Sequence, residues 1–124
     1  MNNGKQVCCI CGQSFEGYGN NPSPMKLDWR CCDKCNERVI ATRLLLSKYQ
    51  SSEQSKAEIV KMCSENNKEK TIGVGSEIII IDMKNEKDYS GRYGTIVHID
   101  DIGQLHGTWG GCALIPNVDV FLVI

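Results

Sequence analysis

Several features are missing from this chain, and each absence narrows what it can be. No stretch of its 124 residues approaches the roughly 18 consecutive apolar residues that a membrane span requires. The start, Met1-Asn-Asn-Gly-Lys-Gln6, is polar with no apolar segment behind it, so the expectation is a cytoplasmic protein without a signal peptide or membrane partner. There are no internal repeats. There is also no dense basic stripe of the kind a dedicated nucleic-acid binder carries. The net charge of −1 nevertheless hides an asymmetry. Residues 1–50 hold seven Lys/Arg against four Asp/Glu, whereas residues 71–124 hold three against seven. Hydrophobic residues make up 41% of the chain, enough for globular structure and too many for wholesale disorder.

Cysteine is what the chain has in excess, with eight in all. In a reducing compartment, clustered cysteines usually serve metal or redox chemistry rather than disulfides. Four of them form two pairs, Cys8-x2-Cys11 and Cys32-x2-Cys35, with twenty residues between the pairs. A two-residue gap lets both sulfurs of a pair turn toward one ion, and zinc prefers four soft ligands in a tetrahedron. One structural Zn2+ held by Cys8, Cys11, Cys32 and Cys35 is therefore expected. Four thiolates close the coordination shell and leave no position for water or substrate, whereas a catalytic zinc keeps one open. Cys9 and Cys31 would give unequal gaps and read as packing residues. A thioredoxin-like use of one pair would need a βαβ setting that the flanking residues do not suggest.

Three segments follow from the pattern of residues: a zinc-binding module with a trailing helix (1–50), a short helix and linker (51–70), and a small β-barrel (71–124). The first is rich in turn formers, notably Gly17-Tyr-Gly-Asn-Asn-Pro-Ser-Pro24, and too small to bury a core of its own. Val39, Ile40, Leu44, Leu45 and Leu46 predict a helix over about 36–49. Ser55-Lys-Ala-Glu58 resembles a capping box and points to a second helix over about 53–65. Residues 64–70 are polar and read as a linker. Beyond them, Glu77-Ile-Ile-Ile-Ile-Asp82 is a strand buried on both faces, followed by Thr95-Ile-Val-His-Ile99, Gln104–Trp109, Ala113-Leu-Ile115 and Val120–Ile124. Five short strands with Gly-rich turns predict a small SH3-like barrel, and the whole an α+β protein.

Two stretches carry a resemblance. The run Cys8-Cys-Ile-Cys-Gly-Gln-Ser-Phe-Glu-Gly-Tyr-Gly-Asn-Asn-Pro-Ser-Pro24, with Arg30-Cys-Cys-Asp-Lys-Cys-Asn36 and Val39-Ile-Ala-Thr-Arg43, resembles a zinc-ribbon-like module of phage and gut-bacterial mobile-element proteins. Gly91-Arg-Tyr-Gly-Thr-Ile-Val-His-Ile-Asp-Asp-Ile-Gly103 and Leu114-Ile-Pro-Asn-Val-Asp-Val-Phe121 are similar to a domain of unknown function from the same sources. That domain usually has a Trp-Asp-Asn-Gly-like turn where this chain has Trp109-Gly-Gly-Cys112, so no role is carried over to an acidic residue there. The resemblance implies a phage or mobile-element setting, inside a bacterial host cell, and no particular activity.

The expected function is that of a non-enzymatic, zinc-binding interaction protein that binds a host or defence protein and inhibits it. The alternative is a nucleic-acid-binding (RNA or DNA) accessory or regulatory protein, with Arg30, Lys34, Arg38 and Arg43 along one side of the first module. A thiol hydrolase or nuclease using Cys112 with His98 or His106 is a third, weaker reading. Candidate partner-binding residues are Tyr18, Asn20 and Asn21 in the loop between the cysteine pairs, Arg38 and Arg43 on the helix, and Trp109 at a strand end. For the loop asparagines and for Trp109, a turn and a core position are the plainer readings. Asp100-Asp101 reads as a turn, because adjacent strand residues point to opposite faces and cannot share a metal or a proton.

Overall fold

The computed structural model of the chain describes residues 5–26 and 29–124; residues 1–4, part of the polar start, and residues 27–28 lie outside the described set. The first cysteine pair sits on the turn of an antiparallel hairpin, β1 (Lys5–Val7) and β2 (Ser14–Glu16), registered Val7 to Ser14. Helices α1 (Asp33–Ser51) and α2 (Glu53–Lys68) follow. Only Ser52 separates them. Its extended backbone ends α1, and its hydroxyl accepts from the Ser55 amide (3.1 Å) to cap α2. Strands β3 (Glu77–Asp82), β4 (Tyr93–Ile99), β5 (Leu105–Gly107) and β6 (Val120–Val123) form one antiparallel sheet in the order β5-β4-β3-β6. The architecture is α+β, with two helices and two antiparallel sheets.

Both helices exceed their expected bounds. α1 begins three residues before Asn36 because the Cys32 sulfur accepts from the Cys35 amide (3.5 Å) and serves as the N-cap. The second cysteine pair is thus the first turn of a helix, and not a turn ahead of one. α2 runs through Lys68, so residues 64–68 of the expected linker are helical. That last turn is held by β6: Asn66 Nδ2 donates to Val123 O (2.8 Å), Asn67 Nδ2 donates to Phe121 O (2.9 Å), and Val123 N donates to Asn67 Oδ1 (2.9 Å).

These bonds also explain a correction. The expected barrel is an open sheet. Closing it would require β6 to pair with β5, but the backbone groups on the free edge of β6 are satisfied by asparagine side chains of α2. The segment Ala113-Leu-Ile115 is likewise no strand; only Leu114 bridges to Leu105.

β3 is the central element, and all four of its isoleucines are buried. Period-two alternation sends Ile78 and Ile80 to one face with Trp109, Leu114 and Phe121, and Ile79 and Ile81 to the other. Each such burial is worth roughly 1.5–3 kcal/mol relative to exposure. On the second face the isoleucines pack with Val39, Tyr49, Ile59 and Cys63 of the helices, and in the same cluster with Cys8, Met25 and Cys31 of the first module. The helix face differs from the expected one: Val39, Thr42 and Tyr49 are buried, while Ile40 and Leu44 are exposed. Spacings of three and seven residues select a narrower stripe than the apolar residues alone suggest.

Candidate metal centre

The hairpin and the helix start bring four sulfurs together. In the first pair, the turn closes through Gly12 N to Cys8 O (3.0 Å) and Cys8 N to Gln13 O (2.9 Å), with Gly12 at φ +77°. That left-handed conformation costs glycine least. The amides of Ile10 and Cys11 then point at Cys8 Sγ (3.4 and 3.5 Å). In the second pair, the Cys35 amide points at Cys32 Sγ (3.5 Å), and the helix N-terminus places its partial positive charge beside both sulfurs. The segments joining the pairs are registered by Asn20 and Cys31, whose backbones exchange hydrogen bonds of 2.9 and 3.0 Å.

As a result, the sulfurs of Cys8, Cys11, Cys32 and Cys35 all lie within 4.8 Å of one another, and those of Cys11 and Cys32 are 3.9 Å apart. Sulfurs about 2.3 Å from a tetrahedral zinc are ~3.8 Å from each other, so the set fits a single mononuclear ion. Cys8, Cys11, Cys32 and Cys35 are free thiols. Cys8 is buried, Cys32 and Cys35 are half-buried, and Cys11 is exposed.

The electrostatics of the thiols are uneven. Burial opposes ionisation of Cys8, but amide donors from Cys11, Cys32 and Ile10 outweigh it and bring its pKa down to about 6. Cys31 is pushed up to about 11 by burial and by the neighbouring Cys8, Cys9 and Cys32. Cys35 is raised by burial and by its hydrogen bonds to the other three thiols of the set. A metal ion entering the set would displace the protons that remain on it. Cys31 lies in the core at 0% exposure, a packing position.

The remaining candidates supply no ligand to this centre, although Arg38 lines a depression beside it with Cys11, Cys32 and Cys35. Asn20 Nδ2 donates to Asp33 Oδ1 (2.9 Å) and ties the loop to the start of α1, while Asn21 Oδ1 accepts from the Ser23 amide (3.1 Å) within the loop itself. Arg43 reaches from α1 to the same loop and donates to Ser23 O (2.8 Å) and Asn21 O (2.9 Å). Tyr18 is 90% exposed. Arg38 is exposed and forms no ion pair among the described residues. Trp109 requires a correction. It is a core residue at 3% exposure, its indole donating to Cys112 O (2.9 Å), because it fills the space over Gly94 and Gly107 that any larger side chain would occupy.

Outside the centre, the Cys112 thiol faces Glu86 Oε2 (3.7 Å). His98 and His106 stack across the β4–β5 hairpin with ring centroids 5.5 Å apart. Asp100 forms the expected turn: Oδ1 accepts from the amides of Ile102 (3.1 Å) and Gln104 (2.9 Å), while Oδ2 meets His106 Nε2 (2.9 Å). His106 and those amides hold the Asp100 carboxyl below the usual carboxylate range. The loop-clamping role of Arg43 and the capping role of Cys32 had no signal in the sequence, since each depends on a backbone group placed by folding.

No helix among the described residues is long and apolar enough to cross a membrane. No protein-family model matches the chain, and neither a curated protein nor a solved structure does.

Proposed function

We propose that this is a non-enzymatic, zinc-binding interaction protein of phage or mobile-element type, acting in the cytoplasm of a bacterial host by binding and inhibiting a host or defence protein. The observation that carries the reading is the four-sulfur set, whose mutual distances suit one tetrahedral ion with no coordination position left for a substrate. Zinc then serves as a staple for a module too small to hold itself together. The Cys112 thiol, bonded to a carboxylate rather than to a histidine, lacks the neighbour that would activate it as a nucleophile. Of the candidate contact residues, Tyr18 and Arg38 are the ones free to meet a partner.

Nucleic-acid binding has less support. Arg43, one of the cations it would use, is engaged with loop carbonyls, and the sheet half of the chain is acidic. A salt titration separates the readings, because phosphate contacts make log K fall linearly with log[salt].

The test uses the zinc-loaded chain as bait in lysate from a bacterial host, with a Cys8→Ser/Cys35→Ser variant as the unstapled control. One host protein enriched by the loaded chain and lost with the control is the expected result. No protein enriched above the control would count against the reading. Elemental analysis is expected to find one zinc per chain, and stoichiometric iron would overturn the choice of metal.

A further inference from the structure

The β4–β5 hairpin carries a pair of side chains that the four-sulfur centre does not use. His98 and His106 lie directly opposite each other in its register, so both rings stand on one face. Their centroids are 5.5 Å apart. Two imidazoles bound to one zinc at about 2.0–2.1 Å have centroids roughly 5–5.5 Å apart when the bonds meet near the tetrahedral angle. Neither ring belongs to the core: His98 is exposed, and the His106 side chain is 40% exposed.

Asp100 decides which nitrogen of His106 is left open. Its Oδ1 is taken by the amides of Ile102 and Gln104, and its Oδ2 lies 2.9 Å from His106 Nε2. A carboxylate only accepts, so Nε2 carries the ring proton and the lone pair of the neutral ring sits on Nδ1. A carboxylate bonded to the far nitrogen is the usual brace of a metal-binding imidazole, fixing its tautomer and raising its basicity. His98 has its ring contact with His106 and no side-chain hydrogen bond among the described residues. The segment also favours a cation: residues 93–124 hold three aspartates and no lysine or arginine. No third cysteine, histidine or carboxylate among the described residues converges on the pair, so water completes the shell of any ion there. Imidazole nitrogen suits zinc, copper and nickel rather than magnesium or calcium.

We propose that His98 and His106 form a second, exchangeable zinc site, with Asp100 as the positioning residue that keeps His106 Nδ1 open. The two sites differ in kind. Four thiolates enclose their ion, whereas two neutral imidazoles hold one weakly and leave the rest of its shell to solvent. Such an ion is lost on gel filtration, so one zinc per chain remains the expected content of the purified protein. The assignment is independent of the interaction reading above and stands or falls without it.

The experiment titrates further zinc chloride into the chain already loaded with one zinc, in a non-chelating buffer. Calorimetry counts the ions, and 15N-labelled imidazoles are followed by NMR. One additional saturable equivalent is expected, with the His98 and His106 ring nitrogens shifting together and the His106 Nε2 proton retained. His98→Ala, at an exposed position that folding does not depend on, should abolish the second equivalent, as should His106→Ala. Asp100→Asn keeps an oxygen for the two amides but turns an amide donor toward Nε2, so His106 should move to the Nδ1–H tautomer. Affinity for the second ion should then fall about tenfold or more. Asp101→Asn, which removes the neighbouring charge alone, should change it by less than about threefold. Content of the first zinc and melting temperature confirm the fold of each variant. The site is overturned if no second ion binds, which would leave the histidines as a packing contact. It is equally overturned if His98→Ala leaves the affinity unchanged or if the shifts map to Cys63 or Cys112. An unaltered tautomer and affinity in Asp100→Asn would overturn the positioning role.

Discussion

The thiols of this chain divide by position rather than by chemistry. Cys8, Cys11, Cys32 and Cys35 converge because two backbone turns aim them at one point, while Cys31, one residue from a member of the set, is a core residue. The two kinds of position should respond differently to serine. Cys11→Ser and Cys35→Ser are expected to reduce bound zinc from one equivalent to well below half, as measured by elemental analysis after gel filtration. Cys31→Ser should keep the full equivalent and lower stability by about 1–3 kcal/mol, because it puts a hydroxyl in an apolar site. Loss of zinc from Cys31→Ser, with Cys35→Ser still loaded, would reassign the ligands. The same principle explains why Arg43, though exposed, is tied to its own molecule, and why Trp109 takes the core position. A guanidinium finds two loop carbonyls, and an indole fills the space above two glycines.

At the scale of elements, Gly91 and Asp82 are two of the joints between the sheet half and the helices. At Gly91 the backbone has φ +89°, and a methyl group there would collide with Pro24 and Leu46. Gly91→Ala is expected to cost about 2–4 kcal/mol in denaturant unfolding, from left-handed strain plus overpacking. A cost under about 0.5 kcal/mol would show that the two parts do not meet there. The second joint is Asp82, which accepts from Tyr49 of α1 (2.8 Å) and from Lys87 (2.7 Å). Burial disfavours its charge, but these two donors outweigh burial and hold its pKa below the usual carboxylate range. The sign follows from linkage. A depressed folded pKa contributes stability above the unfolded value near about 4, and that stability is lost as pH falls through the folded value. Stability measured at pH 7, 4 and 3 should therefore fall more steeply in the natural chain than in Asp82→Asn. Parallel profiles would remove the joint from the pH response. Tyr49→Phe should cost about 1–2 kcal/mol at pH 7.

Across the whole molecule, the metal centre and the sheet share a core. Cys8, Met25 and Cys31 belong to the same buried cluster as Ile79, Ile81 and Tyr93, and the Tyr93 amide donates to Met25 O (3.0 Å). Losing the ion should therefore weaken the sheet as well as the module. Chelation is expected to lower the melting temperature by roughly 15 °C or more, with one transition seen alike by circular dichroism and by tryptophan fluorescence. With Trp29 of the first module replaced by Phe, Trp109, on the far face of the sheet, reports on the part that holds no metal. An unchanged melting temperature after complete zinc removal would show that the sheet and helices stand by themselves.

Some of this was legible in the residues alone, because the relevant physics is short-ranged. Two-residue gaps between cysteines confine both sulfurs to one side of a turn, and four consecutive isoleucines must be buried on both faces wherever they lie. The helices were recognisable from their apolar spacing, though not their ends, since a cysteine cap and three asparagine–strand bonds extend them. Whether the sheet closed, which arginine clamped a loop and where the indole went were decided only by tertiary structure. Each of these depends on a partner far away in sequence: β6 is satisfied by Asn66 and Asn67 more than fifty residues earlier, and those side chains occupy the edge that a barrel would have needed.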